Sequence, residues 1–138
     1  MKLKKCDIEN RGDIEKLINS FYDKVKKDKV IGFIFNDVAK VNWEKHLPVM
    51  YGFWESIIFF KNTYSGNPML VHLHLNELIK LREEHFERWL QLFTNTVDEL
   101  FEGKKAALAK KKAISIATIM KTKIAVTPDI SFKQGLLK

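Results

Sequence analysis

The apolar stripe between Arg82 and Glu102 constrains this chain more than any other feature. Phe86, Trp89, Leu90, Phe93, Val97, Leu100 and Phe101 recur there at helical spacing. Such a stripe must be covered by other elements, so it calls for a layered fold around an aromatic core. Three more segments share the period. From Asp13 to about Lys27, the residues Ile14, Leu17, Ile18, Phe21 and Val25 fall on one face, with Tyr22 on its border and Asp13 expected as the N-cap. From Asn42 to Phe60, Trp43, Leu47, Met50, Trp54 and Ile57 form a stripe beside a second row of His46, Met50, Phe53 and Ile57. From Lys104 to about Ile124, one face carries Ala106, Ala113, Ala117, Met120 and Ile124, small enough on average for close helix approach. Gly103 is expected to cap the stripe-bearing helix at its C-terminus, and Pro128 to stop the last helix. The expected class is all-α, with at least four long amphipathic helices.

The segments between are irregular. Ile31 to Phe35 reads as an aromatic corner, followed by a turn at Asn36 and Asp37. Lys61 to Pro68 collects Asn, Ser, Gly and Pro and reads as a loop. Pro68 to Leu75 alternates His72 and His74 with Val71, Leu73 and Leu75. That pattern fits a short strand with both histidines on one side, or a short helix offering only His72 inward. Periodicity leaves both open.

At 138 residues the chain has the length of one domain, assigned to residues 1–125 with a loosely held tail over 126–138. Its 46% hydrophobic and 30% charged residues are those of an ordinary soluble protein. A single cysteine, Cys6, excludes an intrachain disulfide or a thiolate zinc site and fits a reducing cytoplasm. The N-terminal stretch lacks the apolar run of a signal peptide, and no run approaches the ~18 residues of a membrane span. No flavin or nicotinamide domain fits in this length. The net charge of +7 is concentrated at one end: nine of the 24 Lys and Arg, but one of the 17 acids, lie from Gly103 onward. A basic nucleic-acid face would need aligned lysines and interleaved aromatics. Lys104, Lys105, Lys110, Lys111, Lys112, Lys121 and Lys123 instead spread around a helix, as on a solvated surface. Glycine-rich phosphate loops and a Gly-x-Ser-x-Gly elbow are absent.

The chemistry concentrates on His72, an imidazole in an otherwise apolar run. With Tyr22, His46 and Trp89 it gives one apolar pocket a strong ligand and several polar donors. A buried haem iron needs that combination: a neutral imidazole nitrogen on one side and controlled hydrogen bonding on the other.

The order of these residues resembles a known family. Phe21-Tyr22, Asp28-Lys29, Ile34-Phe35, Trp43-Glu44-Lys45-His46, Phe53-Trp54, Asn67-Pro68, His72 and the run from His85 to Phe93 together are similar to the truncated haemoglobins, in particular their third group. The resemblance covers roughly Asp13 to Ile124. As in that group, the paired-glycine motifs of other truncated haemoglobins are missing. The resemblance implies a truncated two-over-two helical sandwich holding haem b, with His72 as the proximal ligand of a five-coordinate iron. It implies Tyr22, His46 and Trp89 as the distal residues that stabilise a bound ligand. Phe21, Phe35, Met50, Phe53, Phe86, Phe93 and Met120 are expected to line the haem pocket.

On that expectation the small ligands are O2, NO, CO or peroxide. Two donated hydrogen bonds, from the Tyr22 hydroxyl and the Trp89 indole, at about 1 kcal/mol each would slow ligand release on the order of 30-fold. His46 can donate, accept or swing outward, or act as general base in peroxidase-like chemistry. Nitric oxide dioxygenase or peroxidase turnover would need an external reductase. His74 competes with His72 for the proximal role. Two other readings carry their own signatures: a non-haem metal site built from His72, His74 and His46 or His85, and a basic helical binding module centred on Lys110, Lys111 and Lys112.

Overall fold

The structure, a computed structural model, describes residues 5–61 and 81–126, with side chains as far as Thr122. His72 and His74, the loop before them and the C-terminal tail lie outside the described residues. Among the described residues four α-helices run in order: α1 Arg11–Lys27, α2 Trp43–Phe59, α3 Glu83–Leu100 and α4 Lys104–Val126. A single π-helical turn, Ile34–Val38, lies between α1 and α2. Every regular element among the described residues is helical, as the periodicity predicts.

The helices pack as two pairs. α1 lies against α2 and α3 against α4, and the pairs meet where α1 crosses α3 and α2 touches α4. This is the two-over-two sandwich. α1, α3 and α4 bury much of the face their spacing foretells, whereas α2 buries only Trp54 of its expected stripe, with Gly52, Glu55 and Ile58 instead. Ile14, Leu17, Ile18, Phe21 and Val25 of α1 are buried, as are Phe86, Leu92, Phe93 and Val97 of α3. Ala106, Ala109, Ala113 and Ala117 of α4 are buried too, so the close-packing face is real and includes Ala109. Phe93 sits fully buried, stacked on Trp54 at 4.5 Å between centroids and on Trp89 at 5.8 Å, with Phe21 edge-on at 5.2 Å. Burying a side chain of this size is worth about 2–3 kcal/mol, before the contribution of the ring geometry.

Two capping expectations are corrected. Asn10, not Asp13, caps α1, its side-chain oxygen accepting from the Asp13 N–H at 2.9 Å. Asp13 sits three residues inside and reaches back to accept from the Glu9 N–H at 2.8 Å. Gly103 does not close α3, which ends at Phe101 in extended backbone. It opens α4 instead, its carbonyl accepting from the Ala107 N–H at 2.9 Å.

The corner after α1 is held by Asp28. Its carboxylate accepts from the Val30 and Ile31 N–H groups and from Arg88 Nε of α3 at 2.8 Å. Gly32 follows, where an added Cβ would stand 2.9 Å from the Val25 carbonyl oxygen. The chain can therefore fold flat against the end of α1 and deliver the π turn, with Phe35, to the mouth of the aromatic cluster.

Candidate functional site

Tyr22 lies near the C-terminal end of α1, one residue beyond the core Phe21, and turns its ring into the gap between α1, the π turn and the start of α2. Only 5% of it is exposed. Its ring meets Phe21 at 4.8 Å, Trp43 at 5.2 Å, His46 at 5.3 Å and Phe35 at 6.0 Å. Burial pushes the phenol far above the ordinary tyrosine range, so the hydroxyl keeps its proton and acts as a donor. A protonated phenol beside an imidazole, on the border of an aromatic cluster, suits a pocket that receives a polar ligand.

His46 belongs to the first turns of α2, where its own N–H bonds to the Asn42 carbonyl at 2.8 Å. The side chain is half-buried and its Nε2 is sealed from solvent. Its ring stands edge-on to both Tyr22 and Trp43. Trp89 is the third expected distal residue. It is half-buried and sits one ring further away, edge-on to Phe21 at 5.8 Å and 87°. Tyr22 and His46 are thus in direct contact, and Trp89 joins them through Phe21.

The expected lining residues divide. Phe35, Met50 and Phe53 are half-buried and packed against the core, leaving part of each surface open. Phe86 is buried to 8% exposure. Phe21, Phe93 and Met120 are core residues, with Phe93 stacked against the indoles of Trp54 and Trp89. α2 is rich in apolar side chains, yet only Gly52, Trp54, Glu55 and Ile58 are buried. Its row of Met50, Phe53 and Ile57, beside His46, stays half-covered by protein. An apolar, partly uncovered wall beside a protonated phenol and an imidazole suits a flat apolar prosthetic group with a polar ligand, so the residues present fit haem.

The proximal side, His72 with its competitor His74, falls outside the described residues. His85 serves the local backbone: its Nδ1 accepts from the Arg82 N–H at 2.9 Å at the start of α3, and its ring lies 6.4 Å from Phe33. Among the described residues no group of three or more His, Cys, Asp or Glu side chains converges as a metal site would. On α4, Lys110 pairs with Asp98 at 2.7 Å, Lys121 with Glu83 at 3.6 Å, and Lys105 Nζ donates to the Ile58 carbonyl. No helix among the described residues is long and apolar enough to cross a membrane.

Trp43 is the residue missing from the expected site. It touches Tyr22, His46 and Phe35. Its position three residues before His46 on one helix is the signal that could have found it.

Comparisons with known proteins agree with this geometry. The family model described as bacterial-like globin matches residues 8–125. A group 3 truncated hemoglobin of Campylobacter jejuni is 31% identical over 112 residues, covering 79% of this chain and 86% of that protein. The crystal structure of the group III truncated hemoglobin from Campylobacter jejuni superposes with a TM-score of 0.76 at 29% identity, covering 87% of this chain and 94% of that one.

Proposed function

The chain belongs to the bacterial-like globin family, within it to the third group of truncated haemoglobins, and we propose that it binds haem b and takes a diatomic ligand at a five-coordinate iron. When bound, haem supplies a redox-active iron with one open coordination position. The observation that carries the reading is the Tyr22 phenol: on a buried side chain, held protonated, and in ring contact with the His46 imidazole. It is a donor kept ready for a polar ligand. Trp89 would add its indole N–H from the far side of Phe21. His72 is assigned as the proximal ligand on the family resemblance. To hold iron its imidazole must be neutral, with the other ring N–H donated to an acceptor. Residues 1–125 would form the globin domain, working in a reducing cytoplasm.

Donors of this kind favour slow ligand release over transport. A second reading rests on His46, whose sealed Nε2 beside a protonated phenol suits general acid–base work on peroxide. Peroxidase-like or nitric oxide dioxygenase turnover would draw electrons from an external reductase.

The test is the visible spectrum of protein expressed with haem, ferric, reduced and then exposed to carbon monoxide. A Soret band that shifts with carbon monoxide and disappears in His72→Ala is the expected result. A wild-type protein that stays colourless with added haem overturns the reading, and a band that survives in His72→Ala moves the proximal role elsewhere, first to His74.

A further inference from the structure

The turn that carries His46 keeps its backbone bonds to the Asn42 carbonyl but has two restraints fewer than an ordinary helix start. Asn42 caps α2 without a side-chain hydrogen bond, and Pro48 inside the helix has no N–H to give to the Glu44 carbonyl. Ring packing adds to what keeps the imidazole beside Tyr22. Among the described residues Trp43, the first of this helix, is the one side chain in ring contact with Tyr22 at 5.2 Å, His46 at 5.6 Å and Phe35 at 6.1 Å together. Lys26 of α1 places its Nζ 4.8 Å from the centroid of the same indole, and also lies 3.8 Å from the exposed Asp23 carboxylate. The backbone carbonyl of Lys26 accepts from the Asn36 side chain at 3.0 Å, tying the π turn to the same point.

We infer that Trp43 is a positioning residue: clamped by Lys26 and Phe35, it fixes the mutual orientation of the Tyr22 phenol and the His46 imidazole. This rests on the haem reading above. The clamp joins three elements, the end of α1, the π turn and the first turn of α2, at a half-exposed indole. Loosening it lets the first turn of α2 rock, and the imidazole with it, while the core behind Phe21 and Phe93 stays packed.

The test compares wild type with Lys26→Met, Trp43→Leu and Trp43→Phe in the haem-loaded, carbon monoxide-bound protein. Two readouts are used: the C–O stretch, which senses the field of nearby N–H and O–H dipoles, and the rate of carbon monoxide association. Wild type should show one narrow stretch. Trp43→Leu should split or broaden it and alter association, while Trp43→Phe restores much of the wild-type pattern. Lys26→Met keeps the aliphatic stem at a half-exposed site, so it should fold whatever Trp43→Leu does. It should change association about threefold, as expected for loss of a surface cation–π contact. A narrow, unshifted stretch and an unchanged rate in Lys26→Met and in folded Trp43 variants overturn the positioning role alone. A wild-type protein without a Soret band overturns the haem reading and this role together.

Discussion

Tyr22 shows how much one residue can decide. Its neighbour Phe21 is a pure core residue, while Tyr22 is rotated far enough around α1 to reach the gap under α2. Burial raises the cost of losing its proton, so over the physiological range it is a permanent donor. Replacing it with Phe keeps the ring contacts and deletes only the hydroxyl. Tyr22→Phe should release bound oxygen about 5- to 10-fold faster, the effect of one lost hydrogen bond, as measured by stopped-flow ligand displacement. Stability should hardly change, because phenylalanine keeps the ring contacts with Phe21, Phe35, Trp43 and His46. An unchanged release rate would remove Tyr22 from the ligand's surroundings.

At the scale of the element, the junction between α3 and α4 is decided by a residue far away in sequence. Asp7 accepts from the Lys105 N–H at 2.9 Å and from the Ala106 N–H at 2.8 Å, so the N-terminus of α4 is capped from the other end of the chain. Gly103 makes this possible. Its φ of +147° is one that side chains avoid, and an added Cβ would lie 2.5 Å from the Asp7 Cγ. Gly103→Ala should therefore cost about 1–3 kcal/mol, read as a lower urea midpoint with an unchanged slope. Asp7→Ala should cost about 1 kcal/mol by exposing the same N–H groups. The double variant should cost less than the sum, since removing the Asp7 carboxylate relieves part of the clash, leaving the contact with the Asp7 Cβ at 2.7 Å. Strict additivity would mean that the two residues do not share the junction.

Across the whole molecule, ion pairs join helices that the core already brings together. Arg11 of α1 meets the buried Glu55 of α2 at 2.8 Å, Lys24 of α1 pairs with Glu99 of α3, and Arg88 of α3 meets Asp28. For Asp28, burial works to raise the carboxyl pKa. The Arg88 bond and the Ile31 and Val30 N–H groups outweigh it, and the net shift is downward. Asp7 is lowered in the same way: burial opposes, and the N–H groups of Lys105, Ala106 and Ile8 prevail. A carboxyl that ionises more readily folded than unfolded adds stability above the unfolded pKa of about 4. That stability is lost as pH falls through the lower folded value. Urea midpoints should therefore be level from neutral pH down to about 5 and fall below about 4. Asp28→Asn should start lower at neutral pH and fall less steeply in acid. Equal slopes for wild type and variant would show that Asp28 does not contribute to the acid loss.

Local pattern carried a long way in this protein. The spacing of apolar residues is enough to define α1, α2, α3 and α4 and most of the buried faces of α1, α3 and α4, because a helix buries what lies on one side of a 3.6-residue repeat; in α2 it marks only Trp54 of the buried set. The order of Phe21-Tyr22, His46, Trp54 and Trp89 was sufficient to mark the family. What the pattern could not contain was every contact between residues distant in sequence. Asp13 looked like a cap until Asn10 took that place, and Gly103 looked like the end of one helix until Asp7 made it the beginning of another. Trp43 read as one more stripe residue, although only packing brings Lys26, Phe35, Tyr22 and His46 around it. The sequence by itself determined the helices, their apolar faces and the kinds of groups available to the site. Tertiary structure alone decided which of those groups meet, because capping, ring contact and charge pairing depend on distances in space that a linear pattern does not encode.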